Sequence, residues 1–225
     1  MKSIGGGGEA VGRTLGAAAF SAILAFASAA AAQVRDDAGR YETLIERVRA
    51  GDLGVDFQAL RYAYAESPGY RPYRSPTDGL AGAMFRAYKA QDFDGAIEAA
   101  NKILAINYLD IDAQVLCDLS YRMLSNAIAA EPCHDMAARL LRSIYESGDG
   151  RTPESAYQVI AEREEYSLLN AMGLAPIRQE FVSRDGHSFD ARDVIDNATG
   201  ETRTIYFNID RPRRWLERRQ GAPKR

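Results

Sequence analysis

Residues 88–104 read YKAQDFDGAIEAANKIL, and this stretch decides the fold. Tyr88 closes a helical run that also carries Met84 and Ala87, and Gln91-Asp92-Phe93 makes a short turn. Ala96, Ile97, Ala100, Ile103 and Leu104 then recur at the spacing of one helix face. Two helices joined by so short a turn fold back on each other. The small side chains Ala96 and Ala100 let the axes approach closely, and an aromatic ring fills the gap.

Working outward, the next segment repeats the theme less regularly: Ile111, Ala113, Leu116, Tyr121 and Leu124, a turn near Ser125, then Ala137, Leu140, Leu141 and Ile144. The pattern Tyr88, Asp92-Phe93, Ala96-Ile97, Ala100 resembles a tetratricopeptide-type unit, which implies stacked helical hairpins over about residues 80–147. One clear unit and one blurred one cannot bury their own faces, so flanking helices must cap them. Upstream, Tyr41, Leu44, Ile45 and Val48 predict a helix that stops at Gly51. Asp56 caps a second helix with Phe57, Leu60, Arg61 and Tyr64 on one face, ended by Ser67-Pro68. From Pro68 to Asp78 three prolines forbid a regular helix, and Tyr70 and Tyr73 are expected to pack inward with their hydroxyls hydrogen-bonded.

Downstream, Gly148-Asp149-Gly150 breaks the helical pattern and Thr152-Pro153 starts another helix, with Ala156, Val159, Ile160, Leu169 and Met172 along its stripe. Charges at 163 and 164 interrupt that stripe. After Pro176 the period changes to two: Ile177–Val182, Phe189–Ile195 and Arg203–Ile209 predict three strands joined by Asp185-Gly186 and by a turn over 197–200. The expected fold class is mainly α (α+β): tetratricopeptide-like hairpins in a helical body over 33–175, then a small three-stranded antiparallel β-meander over 176–210 packed on the helices. In the last segment, 211–225, Trp215 and Leu216 dock while the arginines stay in water.

Lys2 and Arg13 precede an apolar run, Leu15–Ala32, with small residues at Ala30 and Ala32 ahead of Gln33. This is the pattern of a secretory signal peptide over 1–32, cleaved between Ala32 and Gln33. The expected product is exported and soluble, with no membrane-spanning segment and an address in the periplasm of a Gram-negative bacterium. The chain has 28 basic and 31 acidic residues. Seven of the basic ones fall after position 210 against the single acid Glu217, so the body is acidic and the tail basic. An acidic exported body disfavours nucleic acid; the tail is either a solvated helix end or a contact for an anionic envelope surface. Only Cys117 and Cys133 are present. A hairpin turning near Ser125 sets them at similar heights, which permits a disulfide in an oxidising compartment; two small buried free thiols are the other reading.

The recurring words Tyr41–Asp52, Leu60-Arg61 with Tyr64, the Tyr70/Tyr73 loop, Gly148-Asp149-Gly150, Glu164-Glu165-Tyr166 and Tyr206-Phe207-Asn208 resemble the bacterial family named domain of unknown function 4919. The resemblance covers nearly all of the chain after the leader. It implies an exported chain with a helical body and a short strand-rich end, and it brings no catalytic residues.

Signatures of known chemistry are missing: no Gly-x-Ser-x-Gly, no His-Glu-x-x-His, no Cys-x-x-Cys and no phosphate loop ending in Gly-Lys-Ser or Gly-Lys-Thr. No catalytic residue, metal ligand or cofactor is therefore assigned. Cys133 and His134 are adjacent on a helix and project apart. His187 reads as a solvated turn histidine near Asp190, and a carboxylate pair such as Glu164 with Asp190 has the groups for acid and base duties. The sharper expectation is a buried polar network: Glu164 or Glu165 neutralised by Arg61, with Tyr64, Tyr70, Tyr73 or Tyr166 around the pair. The same groups, with Asp190, form the alternative, a pocket for a small molecule or a hydrolase-type reaction. The favoured function is a non-enzymatic envelope interaction or scaffold module that accepts a protein or peptide through its hairpins or an exposed strand edge.

Overall fold

The computed structural model describes residues 39–73 and 75–220. The leader expected over 1–32, residues 33–38 and the end of the basic tail lie outside them. In chain order the elements are α1 (39–49), α2 (Phe57–Glu66), α3 (Asp78–Lys89), α4 (Phe93–Ile106), α5 (Ile111–Met123), α6 (Ala127–Tyr145), a 3-10 turn (Pro153–Ser155), β1 (Tyr157–Gln158), α7 (Glu162–Ala171), β2 (Leu174–Arg184), β3 (His187–Asp196), β4 (Thr202–Asn208) and α8 (Asp210–Gln220).

The helix starts follow from short polar side chains. Asp56, Asp92, Asp110 and Asn126 accept hydrogen bonds from the backbone N–H of Ala59, Gly95, Ala113 and Ala129, satisfying amides that the helix leaves free. The two hairpin turns place Gln91 (φ 60°) and Ser125 (φ 57°) in the left-handed region. α3 packs on α4, α4 on α5 and α5 on α6, while α3 also reaches α5 and α5 reaches α7. Between α3, α4 and α5 lies a core of Met84, Ala100, Ile103, Ala113, Leu116 and Cys117. A disulfide joins Cys117 of α5 to Cys133 of α6, with Cα atoms 6.0 Å apart.

The sheet has four strands in the order β1-β4-β3-β2. β2/β3 and β3/β4 are antiparallel, and β1 adds a parallel pair, Tyr157↔Phe207 and Gln158↔Asn208. This corrects the expected three-stranded meander, and also the single helix expected from Thr152 to Met172. Gly148 and Gly150 bring the backbone against the sheet, where the Gly150 carbonyl accepts the Tyr206 N–H at 2.8 Å. Tyr157 and Val159, strand formers by side-chain shape, are thus laid along β4 rather than wound into a helix. The helix proper begins at Glu162, which resets its phase and moves Glu164 and Glu165 inward.

The larger core runs through both kinds of structure, from Ile45 and Leu60 through Leu140 and Leu169 to Val194 and Phe207. On β3 the alternation points Asp190, Arg192 and Val194 into the molecule opposite Phe207, Ile205 and Arg203 of β4. The terminal helix α8 docks through Trp215, whose ring meets Tyr70 and Tyr73 at centroid distances of 6.4 and 6.3 Å. Its arginines do not all stay in water: Arg211 lies over the Tyr62 ring at 3.5 Å and Arg213 over Phe181 at 5.0 Å. Among the described residues no helix is long and apolar enough to cross a membrane.

Candidate functional site

The polar side chains gather around α7, and they form two separate clusters rather than one. In the first, Arg61 of α2 meets Glu164 through two parallel hydrogen bonds, Nε to Oε1 at 2.8 Å and Nη2 to Oε2 at 2.6 Å. Arg61 also donates to the Gln158 carbonyl at 2.8 Å and to Ser143 Oγ at 3.3 Å. Glu164 Oε2 takes the Ile160 N–H at 2.8 Å, and the Tyr70 hydroxyl donates to the Ile160 carbonyl. Tyr64 stands edge-on to Tyr70 at 5.8 Å, and burial pushes its phenol up to about 12. Charge-assisted bidentate pairing of this kind is strong because both ions keep most of their hydrogen-bonding capacity when they leave water. Tyr73 belongs to neither pair; it is half-exposed and rests on Trp215.

In the second cluster Arg192 of β3 donates from Nε to Glu165 Oε2 at 2.8 Å and from Nη1 to the Tyr166 hydroxyl at 2.8 Å, and its guanidinium lies 4.6 Å from the Tyr166 ring centre. Asp190 Oδ2 is 3.9 Å from Arg192 and accepts from Gln179 at 2.7 Å. Glu165 is fully buried, and its Oε1 meets no donor. Burial, then the charge of Asp190, push Glu165 up to about 9 in spite of Arg192. Glu164, which with Asp190 has the groups for acid and base duties, is engaged by Arg61, while the charge of Asp190 acts on Glu165.

Arg192, which completes the second cluster, was not expected. Its signal was present: positions 190, 192 and 194 share one parity in β3, so a charge at 192 falls on the same face as Val194. Arg163, whose charge interrupts the apolar stripe, pairs with Asp78 of α3 at 2.7 Å and lies 3.8 Å from Asp110 at the start of α5. His187 is half-exposed, and its Nδ1 is 2.6 Å from Asp210 of α8 rather than near Asp190.

Beside these clusters runs a groove of about 640 Å³ between α3, α5 and α7. Ala81, Gly82, Phe85, Val115, Leu116 and Leu141 make its apolar wall, and Arg163, Asp112, Ser167 and Asn170 its polar one. Phe85 and Tyr166 keep 41% and 38% of their surface exposed. Ser167 donates to Asp112 Oδ1 at 2.8 Å, and burial holds the Asp112 carboxyl above its ordinary range. The charges of the two clusters face one another, and Tyr166 of the second also borders the groove. The groove is open. Among the described residues no group of three or more His, Cys, Asp or Glu side chains is placed to hold a metal ion.

A family model described as Domain of unknown function (DUF4919) matches residues 28–218. No curated protein and no solved structure matches the chain.

Proposed function

We propose, for a chain that belongs to the DUF4919 family, that it is an exported, non-enzymatic interaction module of the cell envelope that seats a peptide segment of a partner protein between α3, α5 and α7. The observation that carries the reading is the groove, where half-exposed Phe85 and Tyr166 border an apolar trough. Exposed aromatic rings beside a trough are common anchors of protein association. α3 and α5 are the first helices of successive hairpins, the position that lines the concave face of a tetratricopeptide-type stack, where such proteins take extended ligands. Asp112 at the wall suits a segment that sets one basic side chain beside apolar ones. Export rests on the leader-like pattern ending at Ala32, and envelope-fraction material is expected to begin at Gln33.

A small-molecule site built from Arg61, the tyrosines, Glu164 and Asp190 has less support, because Arg61, Glu164 and Asp190 are all buried. The test uses a photo-crosslinking amino acid at Phe85 in cells, with a control at exposed Tyr145. A discrete adduct at Phe85 that disappears in Gly82→Leu is expected; a Cβ at Gly82 meets only the end of the Arg86 side chain at 3.3 Å, so the new side chain fills the trough. No adduct, or one that survives the filled groove, overturns the reading.

A further inference from the structure

A second concavity, of about 520 Å³, lies where the β2–β3 turn meets the start of α8 and shares no residue with the groove. Arg184, His187, Arg211 and Arg214 line it. Its acids are already engaged. Glu154 is 2.9 Å and Asp185 3.6 Å from Arg184. Asp210 accepts the Ser188 N–H at 2.8 Å and the Asn208 amide at 3.3 Å, and its Oδ2 is 2.6 Å from His187 Nδ1. That contact holds the His187 ring beside Asp210 at the wall of the cleft.

Arg211 and Arg214 stand three positions apart, on neighbouring points of one helix face. Arg211 is stacked on the Tyr62 ring. Burial, with Arg214 and Arg61 as neighbouring positive charges, holds its guanidinium below the ordinary range, and Glu66 is the one carboxylate that acts against them. A cation held in place by a ring, with a second cation beside it on the same helix face and cleft acids that have partners, is short of an anion. We propose that this cleft binds phosphate: Arg211 and Arg214 take the oxygens of a phosphoryl group. Two guanidinium forks suit a tetrahedral oxyanion better than single ammonium groups do. The phosphoryl group comes either from a soluble phosphomonoester or from a phospholipid headgroup, and the experiment separates the two.

The full chain without its leader, labelled with ¹⁵N, is titrated with sodium phosphate at ionic strength held constant by sodium chloride. Saturable shifts of the Ser188, Asn208 and Arg211 amides are expected, with binding about tenfold weaker in Arg214→Gln and in Arg211→Gln, the loss of one charge-assisted contact. Arg211 packs on Tyr62, so if its variant fails to fold, exposed Arg214 carries the test. In parallel, phosphatidylglycerol and phosphatidylcholine vesicles are used in flotation. Vesicle binding lost in Arg214→Gln supports a headgroup, and saturable phosphate binding without flotation supports a soluble phosphomonoester. If phosphate shifts are non-saturable or unchanged in the variants, and flotation is absent or unaltered by Arg214→Gln, the proposal falls.

Discussion

Arg61 and Glu164 stand 103 residues apart in the chain and meet in a bidentate ion pair whose side chains are 0% and 9% exposed. The pair ties α2 to the first turn of α7 and, through the Gln158 carbonyl and the Ile160 N–H, to the segment that carries β1. Removing one partner strands a charge in the interior, so Arg61→Leu is expected to cost about 3–5 kcal/mol. The double variant Arg61→Met/Glu164→Leu should recover a good part of that loss, because the stranded charge is gone. Urea unfolding of both variants checks this; an Arg61→Leu midpoint equal to that of the wild type would show that the pair does not hold the helices.

Glu165 gives a pH dependence whose sign follows from its direction of shift. Its carboxyl rises from an ordinary 4.5 to about 9 in the folded protein, so between those values the folded state binds a proton that the unfolded chain has lost. Stability from this group is fully present below about 4.5 and declines as pH rises through about 9. Thermal midpoints from pH 5 to pH 9 should therefore fall. Glu165→Gln keeps a neutral, hydrogen-bonding group and should flatten the slope with little loss at pH 6. Tyr64, pushed up to about 12, adds a separate loss at higher pH.

The hairpins and the antiparallel strands were legible because periodicity and turn chemistry agree there: Asp56 and Asp92 cap, Gln91 and Ser125 turn, and the β2–β3 pairing turns through Asp185 and Gly186 with φ of 51° and 79°. The segment 152–172 misled because Ala156, Val159 and Ile160 fit a helical stripe as well as a strand, and local spacing does not show that the Gly150 carbonyl is occupied by Tyr206. For the polar clusters, charges set into the apolar stripes at Arg61 and Glu164 pointed to a buried pair. Which carboxylate met which arginine depends on where α7 begins, and that is fixed by the parallel β1–β4 pairing, a contact across fifty residues of sequence. The groove left no mark in the sequence, since its walls come from three helices that each look ordinary alone.

The Cys117–Cys133 bond closes a loop of 16 residues between α5 and α6. A loop of that length is expected to contribute about 3 kcal/mol through the unfolded chain. Cys117→Ala/Cys133→Ala, or reduction before denaturation, should lower the unfolding free energy by about that amount. Protein isolated without reductant should yield no free thiols until it is reduced. Two thiols titrating in the untreated native protein would contradict the bond.

Gly148 separates close packing from backbone conformation. A Cβ there would lie 2.4 Å from the Ser155 carbonyl oxygen and 2.7 Å from that of Ala156, both backbone atoms that cannot swing aside. The Asp149 and Gly150 amides both donate to Ser155 O at 2.9 Å, so moving it disturbs the chain just before β1. Gly173, by contrast, has φ +72° and open space where a Cβ would stand. Gly173→Ala should cost about 1–2 kcal/mol, the penalty for a side chain in the left-handed region. Gly148→Ala should cost more, because the 148–156 backbone must shift off the sheet edge, and it should speed exchange of the Tyr206 amide, which bonds to the Gly150 carbonyl. Paired urea unfolding and hydrogen exchange measure both effects. If Gly148→Ala proves the milder change and Tyr206 keeps its protection, the close approach of this loop to the sheet is not what fixes β1 beside β4.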